Sequence, residues 1–222
     1  MNILNLNVLR SRIATWLFLA LVASLLAGCF GAAAIGVGAG SLFLADRRTS
    51  DTYLTDEAIE IRAANRINEK FGDKVHVNVT SYNRTLLLTG EVPDAATKTE
   101  IEKVINDVPN LKAFQNELQV SGISSLTARS NDVYITSKVK GRFMDASKFP
   151  PYLVKVVTES GSVYLLGLVT QQEADAAVEI ARTTGGVLKV VRVFEIISAA
   201  KAKQLDNTPP PAPAKPEDQP KK

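Results

Sequence analysis

An internal repeat constrains this chain more than any other feature. At an offset of 77 residues, the run LLLTGEV at 86–92 falls on VYLLGLV at 163–169. Val75, Val77 and Val79 fall on Tyr152, Val154 and Val156, Ile101 on Val178, and Leu111 on Leu188. The fold must therefore be one small unit used twice.

Each copy predicts helix, strand, strand, helix, strand. In copy one, Thr55 is the expected helix N-cap, and Ile59, Ala63, Ile67 and Phe71 share one helical face. Val75, Val77 and Val79 alternate as a half-buried strand does. Tyr82, Asn83 and Arg84 read as a turn into a second strand at 85–90, forming a hairpin. Pro93 and Asp94 open a second helix with Ile101, Val104, Ile105 and Val108 on its apolar face. Residues 111–120 alternate again as a strand. Copy two repeats the pattern, with Ile135, Val139 and Phe143 inward on its first helix and Ala174, Ala177, Val178 and Ala181 on its second. Gly185 and Gly186 end that helix before an apolar strand at 187–197.

A helix between two strands implies a right-handed parallel crossover. The expected class is α+β, each unit αββαβ, with a three-stranded mixed sheet packed against two helices. A lone core of this size is marginal, so the copies are expected to pack on each other or on a partner.

The flanks are of another kind. Residues 1–28 have the parts of a secretory signal: Arg10 and Arg12, an apolar run at 13–26, then Leu26, Ala27 and Gly28 before Cys29. Small residues before a single Cys at the end of such a run resemble a bacterial lipobox, which implies cleavage before Cys29 and its acylation. The competing reading, an uncleaved membrane helix, draws on 33 uncharged residues at 13–45. The Gly- and Ala-rich stretch after Cys29 makes a poor span. The expected organisation is signal 1–28, lipidated N-terminus and polar tether 29–54, units at 55–120 and 131–198, a linker at 121–130, and a disordered tail at 199–222. Six of the ten prolines lie in that tail.

Charge and composition exclude much. The net charge is +3, falling to +1 once residues 1–28 are removed, so general attraction to nucleic acid is not expected. One cysteine excludes an intrachain disulfide, and one histidine disfavours common zinc and triad chemistries. Neither a cofactor nor a metal is expected, and catalysis is not.

Each copy resembles the BON domain. The resemblance rests on the Gly–x–Val step at 90–92 and 167–169 after an apolar strand, a helix, and then Leu111-Lys112-Ala113 or Leu188-Lys189-Val190 opening the last strand. Two such units behind a lipobox resemble the dual BON-domain outer-membrane lipoproteins of Gram-negative bacteria, most closely at 130–139 and 156–170. The resemblance implies a non-enzymatic lipoprotein on the periplasmic face of the outer membrane. Phe30, not Asp, follows the lipobox cysteine, which fits that destination. It further implies support of envelope integrity, residence at division sites, and binding of anionic phospholipid through the first helix of the second unit.

On that helix Tyr134, Lys138 and Arg142 fall at i, i+4 and i+8. The residues alone fit either a solvated face with a half-buried tyrosine or an aromatic ring and two cations at an anionic bilayer. The resemblance favours the second, with Tyr134 standing where the best-known member has Trp. Asp132 is expected as an N-cap, and Gly141 as a point of close approach for lipid or the other unit. A different class also fits: a module engaging outer-membrane assembly proteins or misfolded periplasmic chains. His76 is expected on the sheet face away from Val75 and Val77, exposed or between units. Glu91 and Asp94 are expected to cap a helix electrostatically. Gly36, Gly38 and Gly40 follow no strand and do not form a nucleotide loop.

Overall fold

The computed structural model describes residues 46–207. The signal segment, Cys29 and the proline-rich stretch from 208 lie outside the described residues. Among the described residues no helix is long and apolar enough to cross a membrane.

The first unit comprises α1 (Ser50–Phe71), β1 (His76–Tyr82), β2 (Thr85–Val92), α2 (Ala95–Asn106), β3 (Ala113–Asn116) and β4 (Gln119–Val120). The second comprises α3 (Leu126–Ala146), β5 (Lys155–Glu159), β6 (Ser162–Val169), α4 (Gln171–Arg182) and β7 (Lys189–Ile196). In each, the central strand pairs antiparallel with the strand before it and parallel with the strand after the crossover helix. The α+β fold expected from the repeat is present in both copies. The last strand of the first unit is interrupted. Pairing lapses at residues 117–118, where Leu118 turns into the core, and resumes in the same register.

The central strands show why the repeat reads as it does. Leu86 and Leu88 face the core under α1 and α2 with Ile59, Ala63, Ile67, Ile101 and Ile105. Val163 and Leu165 face the core under α3 and α4 with Ile135, Val139, Phe143 and three alanines of α4. The residues between point the other way. Leu87 meets Tyr164, Leu166 and Leu168, joined by Tyr82, in a third core between the two sheets. Both strands are therefore buried on both faces, which produces continuous apolar runs instead of alternation. Each leucine so buried contributes on the order of 2 kcal/mol.

The glycine of the Gly–x–Val step is a packing requirement. A Cβ on Gly90 would stand 2.0 Å from the carbonyl oxygen of His76, and one on Gly167 would stand 2.5 Å from that of Leu153. Gly90 also has φ of 115°, a region that side chains disfavour.

Four boundaries differ from the sequence expectation, each for a local reason. α1 starts five residues before Thr55, capped by the Thr49 side chain on the Thr52 amide. α3 starts at Leu126, inside the expected linker, capped by Ser125 on the Ala128 amide. The start of the expected tail is a helix, α5 (Ala199–Asp206), capped by Ser198. The end of the expected polar tether is ordered by two arginines. Arg47 is buried, donates to both carboxylates of Glu173 and Asp206, and reaches the Leu168 carbonyl. Arg48 pairs with Asp46 and with buried Asp56, and lies 4.0 Å from the Tyr82 ring centroid. Adjacent residues thus fasten the chain to the second unit and to the first.

Two stability outcomes follow. Gly90→Ala is expected to cost about 3 kcal/mol, because neither the backbone angle nor the carbonyl can yield cheaply. Arg47→Ala is expected to cost about 2 kcal/mol, reduced from a fully buried pair because Asp206 is half exposed. Urea unfolding of residues 46–222 measures both.

Candidate functional site

α3 forms the outer wall of the second unit. Ile135, Val139 and Phe143 turn inward, with Phe143 edge-on to Phe149 at 5.0 Å. The opposite side carries exposed apolar groups: Leu126 at 79%, Val133 at 67%, Tyr134 at 61% and Met144 at 63%. Leu126, Val133 and Met144 at i, i+7 and i+18 form one stripe, with Tyr134 beside it. The sequence reading picked out Tyr134 and missed the other three. Their spacing is visible in the sequence, but the helix starts at Leu126, inside the stretch that reads as linker.

The two expected cations are partly engaged within the unit. Lys138 lies over the Tyr134 ring, with Nζ 4.7 Å from the centroid, and donates to the Gly185 carbonyl. Arg142 donates through Nη1 to the Ile180 carbonyl and to Thr184 Oγ1 at the end of α4. Both contacts lie at or just beyond the C-terminal end of α4, where the helix dipole favours cations. Tyr134 and Lys138 thus form a shared exposed feature, whereas Arg142 is turned against α4. A Cβ on Gly141 would meet nothing within 4 Å, so the position is open.

Asp132 is not an N-cap. It lies inside α3, buried, and its two carboxylate oxygens accept from the amides of Ser160 and Gly161. These residues form the β5–β6 turn and have φ of 49° and 73°. Asp56 does the same for the β1–β2 turn, accepting from the amides of Asn83 and Arg84 and from Ser81 Oγ. Each aspartate satisfies the donors of a strained two-residue turn from a neighbouring helix. An Asp-x-x-Ile step in both copies, at 56–59 and 132–135, was the available signal.

A second polar feature lies at the seam between the units. His76 Nδ1 is 2.8 Å from Glu91 Oε2, which also accepts from the Ser124 amide, while Oε1 accepts from Ser160 Oγ. Glu159 Oε2 accepts from Asn78 Nδ2 at 2.7 Å. His76 therefore sits between the units, one of the two places expected for it. Glu91 is not a helix cap: it is 2% exposed and bonded across the seam. Asp94 does cap α2, on the Thr97 amide.

The two glutamates are driven in opposite directions. Burial raises the Glu91 pKa, but bonds from His76 and Ser124 outweigh it and leave the carboxyl below its ordinary value. Burial dominates at Glu159 and holds it above that value, with Asn78 compensating in part. Glu91 thus contributes stability that is present above about pH 4.5 and is lost as acid carries it through its lower folded value. Glu159 contributes stability present below about pH 4.5 and lost as pH rises through its folded value. Relative to the wild type, Glu159→Gln is accordingly expected to gain as pH rises above about 4.5, whereas the deficit of Glu91→Gln is expected to shrink as pH falls below about 4.5, in metal-free urea titrations.

Comparison with known proteins agrees with this architecture. The BON domain family model matches residues 55–122 and 131–198. The chain is 37% identical over 175 residues to the outer membrane lipoprotein DolP of Haemophilus influenzae, covering 78% of this chain and 90% of that protein. It is 29% identical over 154 residues to a 21 kDa hemolysin of Actinobacillus pleuropneumoniae, covering 68% and 79%. It is also 29% identical over 117 residues to the osmotically-inducible protein Y of Escherichia coli, covering 51% and 58%. Two copies of the unit, each with its glycine-dependent hairpin and crossover helix, make this chain a member of the BON domain family with the dual-domain arrangement of a DolP-like protein.

Proposed function

We propose that the protein is a non-enzymatic outer-membrane lipoprotein, acylated at Cys29, whose folded part meets anionic phospholipid through α3 and thereby supports envelope integrity, including at division sites. The similarity to a relative named as an outer membrane lipoprotein supports the location, and the lipobox supports the anchor.

The observation that carries the lipid reading is the outer face of α3. Monomeric soluble proteins seldom place large apolar groups together on one exposed stripe without a partner for it. Here Leu126, Val133 and Met144 run beside Tyr134, and Lys138 lies against the ring. Apolar side chains entering the acyl boundary, a tyrosine at headgroup depth and an adjacent cation suit an anionic surface. Asp132 serves this arrangement indirectly, by holding α3 to the β5–β6 turn. Arg142 serves it by fixing α3 to α4.

Co-sedimentation of residues 46–222 with vesicles tests the reading. The wild type is expected to bind vesicles containing phosphatidylglycerol or cardiolipin, more weakly in high salt, and not neutral vesicles. Tyr134→Ala and Lys138→Glu are each expected to weaken binding at least about tenfold. Arg142→Gln is expected to lower stability with little change in affinity. No anionic binding by the wild type would overturn the proposal and direct the search to outer-membrane assembly proteins.

A further inference from the structure

We propose that His76, Glu91 and Glu159 form a divalent cation site of the zinc class that fastens the two BON domains together. Each residue offers one ligand atom, and these atoms lie within 4.8 Å of one another. His76 comes from β1 and Glu91 from β2, whereas Glu159 ends β5, so the set is complete only across the seam.

Four observations carry this. The first is charge. Glu91 is 2% exposed and Glu159 3%, and among the described residues neither forms an ion pair with Lys or Arg. Asp132, a third buried carboxylate, lines the same cavity, with Arg129 and Lys140 also on its wall. Buried carboxylates at this density are costly unless a proton or a cation neutralises them. The second is a free coordination position. The Asn78 bond engages Glu159 Oε2, and no donor among the described residues reaches Oε1. His76, Glu159 and Asn78 line a cavity of about 450 Å³, which admits the ion and a water to complete its shell.

The third observation is support around the ligands. Glu159 is oriented by Asn78, and Glu91 by the Ser124 amide and Ser160 Oγ. Hydrogen bonds of this kind orient metal ligands and raise their basicity. The fourth comes from the repeat. At the 77-residue offset His76, Glu91 and Glu159 correspond to Leu153, Leu168 and Tyr82. Those counterparts are buried, and Tyr82 and Leu168 belong to the core between the sheets. The positions that carry ligands in one half are thus apolar or aromatic and packed into cores in the other.

One imidazole and two carboxylates suit zinc, which takes nitrogen and oxygen donors at about 2.0–2.2 Å in a tetrahedron. Such donors stand about 3.4 Å apart. Binding therefore requires the His76–Glu91 hydrogen bond to open and the three side chains to converge slightly. With three protein ligands and one water, the ion would bridge the two units.

The test is calorimetric titration of the full-length protein in detergent with Zn²⁺ alone. Cys29→Ser is present throughout, so that the single thiol contributes no ligand. One ion per chain and a raised Tm are expected, with Co²⁺ giving the visible absorption of a tetrahedral site. His76→Gln and Glu159→Gln, each checked for folding by circular dichroism, are expected to weaken binding at least about tenfold. Glu159→Gln keeps the side-chain shape and an acceptor for Asn78, so it separates ligation from folding. Absence of saturable binding by the parent, or undiminished binding in both variants, would overturn the proposal.

Discussion

Burying both faces of two three-stranded sheets is the constraint on which the rest of this molecule depends. A sheet of three strands with two helices on one face leaves its other face exposed to water. Here the two exposed faces cover each other. Leu87 on one side and Tyr164, Leu166 and Leu168 on the other exclude water from both central strands at once. The two helical cores then lie on the outside of the pair, and the helix surfaces face solvent. That layering frees the outer side of α3 for an external partner and brings the far ends of β1, β2 and β5 together at the seam.

The same layering explains where polar groups are allowed inside. Each hairpin turn must place two residues at positive φ, and their amides point toward the neighbouring helix. An aspartate in that helix meets them in both copies, one hairpin held by Asp56 and the other by Asp132. These are structural carboxylates, each occupied by two backbone amides, with Ser81 and Arg48 added at Asp56. The His76, Glu91 and Glu159 group is different in kind, because its positions are apolar or aromatic in the other half and, among the described residues, neither glutamate is paired with Lys or Arg.

The repeat made the fold legible before any coordinate was known, since two copies test each other at every position. The core residues of α1, α3 and α4 followed from helical spacing, and the central strands from their apolar runs. Boundaries were harder to read. Ser125 and Thr49 cap helices whose first turns are mostly exposed and bury no core residue, so the buried periodicity starts several residues late. Asp132 was misread for a related reason: with the helix start placed too late, a buried brace looked like a cap. Arg142 fell on the expected face by spacing, but its length lets the guanidinium reach α4, a tertiary choice that helical geometry does not encode. Leu126, Val133 and Met144 were absent from the expected site because an apolar residue in a sequence does not announce whether it is covered. The seam cluster joins the β1–β2 hairpin to the end of β5, 68 residues beyond Glu91, and only the packing of one sheet on the other brings it together.

Arg47 and Arg48 have a mechanical consequence. The chain enters the folded part between the two units, and consecutive guanidinium groups grip one unit each. Tension arriving along the polypeptide from upstream therefore divides at residue 47 and does not peel α1 from its N-terminus. Because Arg47 also holds Asp206, the first and last described segments are clamped at one point. If the chain is held upstream as proposed, a load on it meets charge-assisted hydrogen bonds at this clamp before it reaches either helical core.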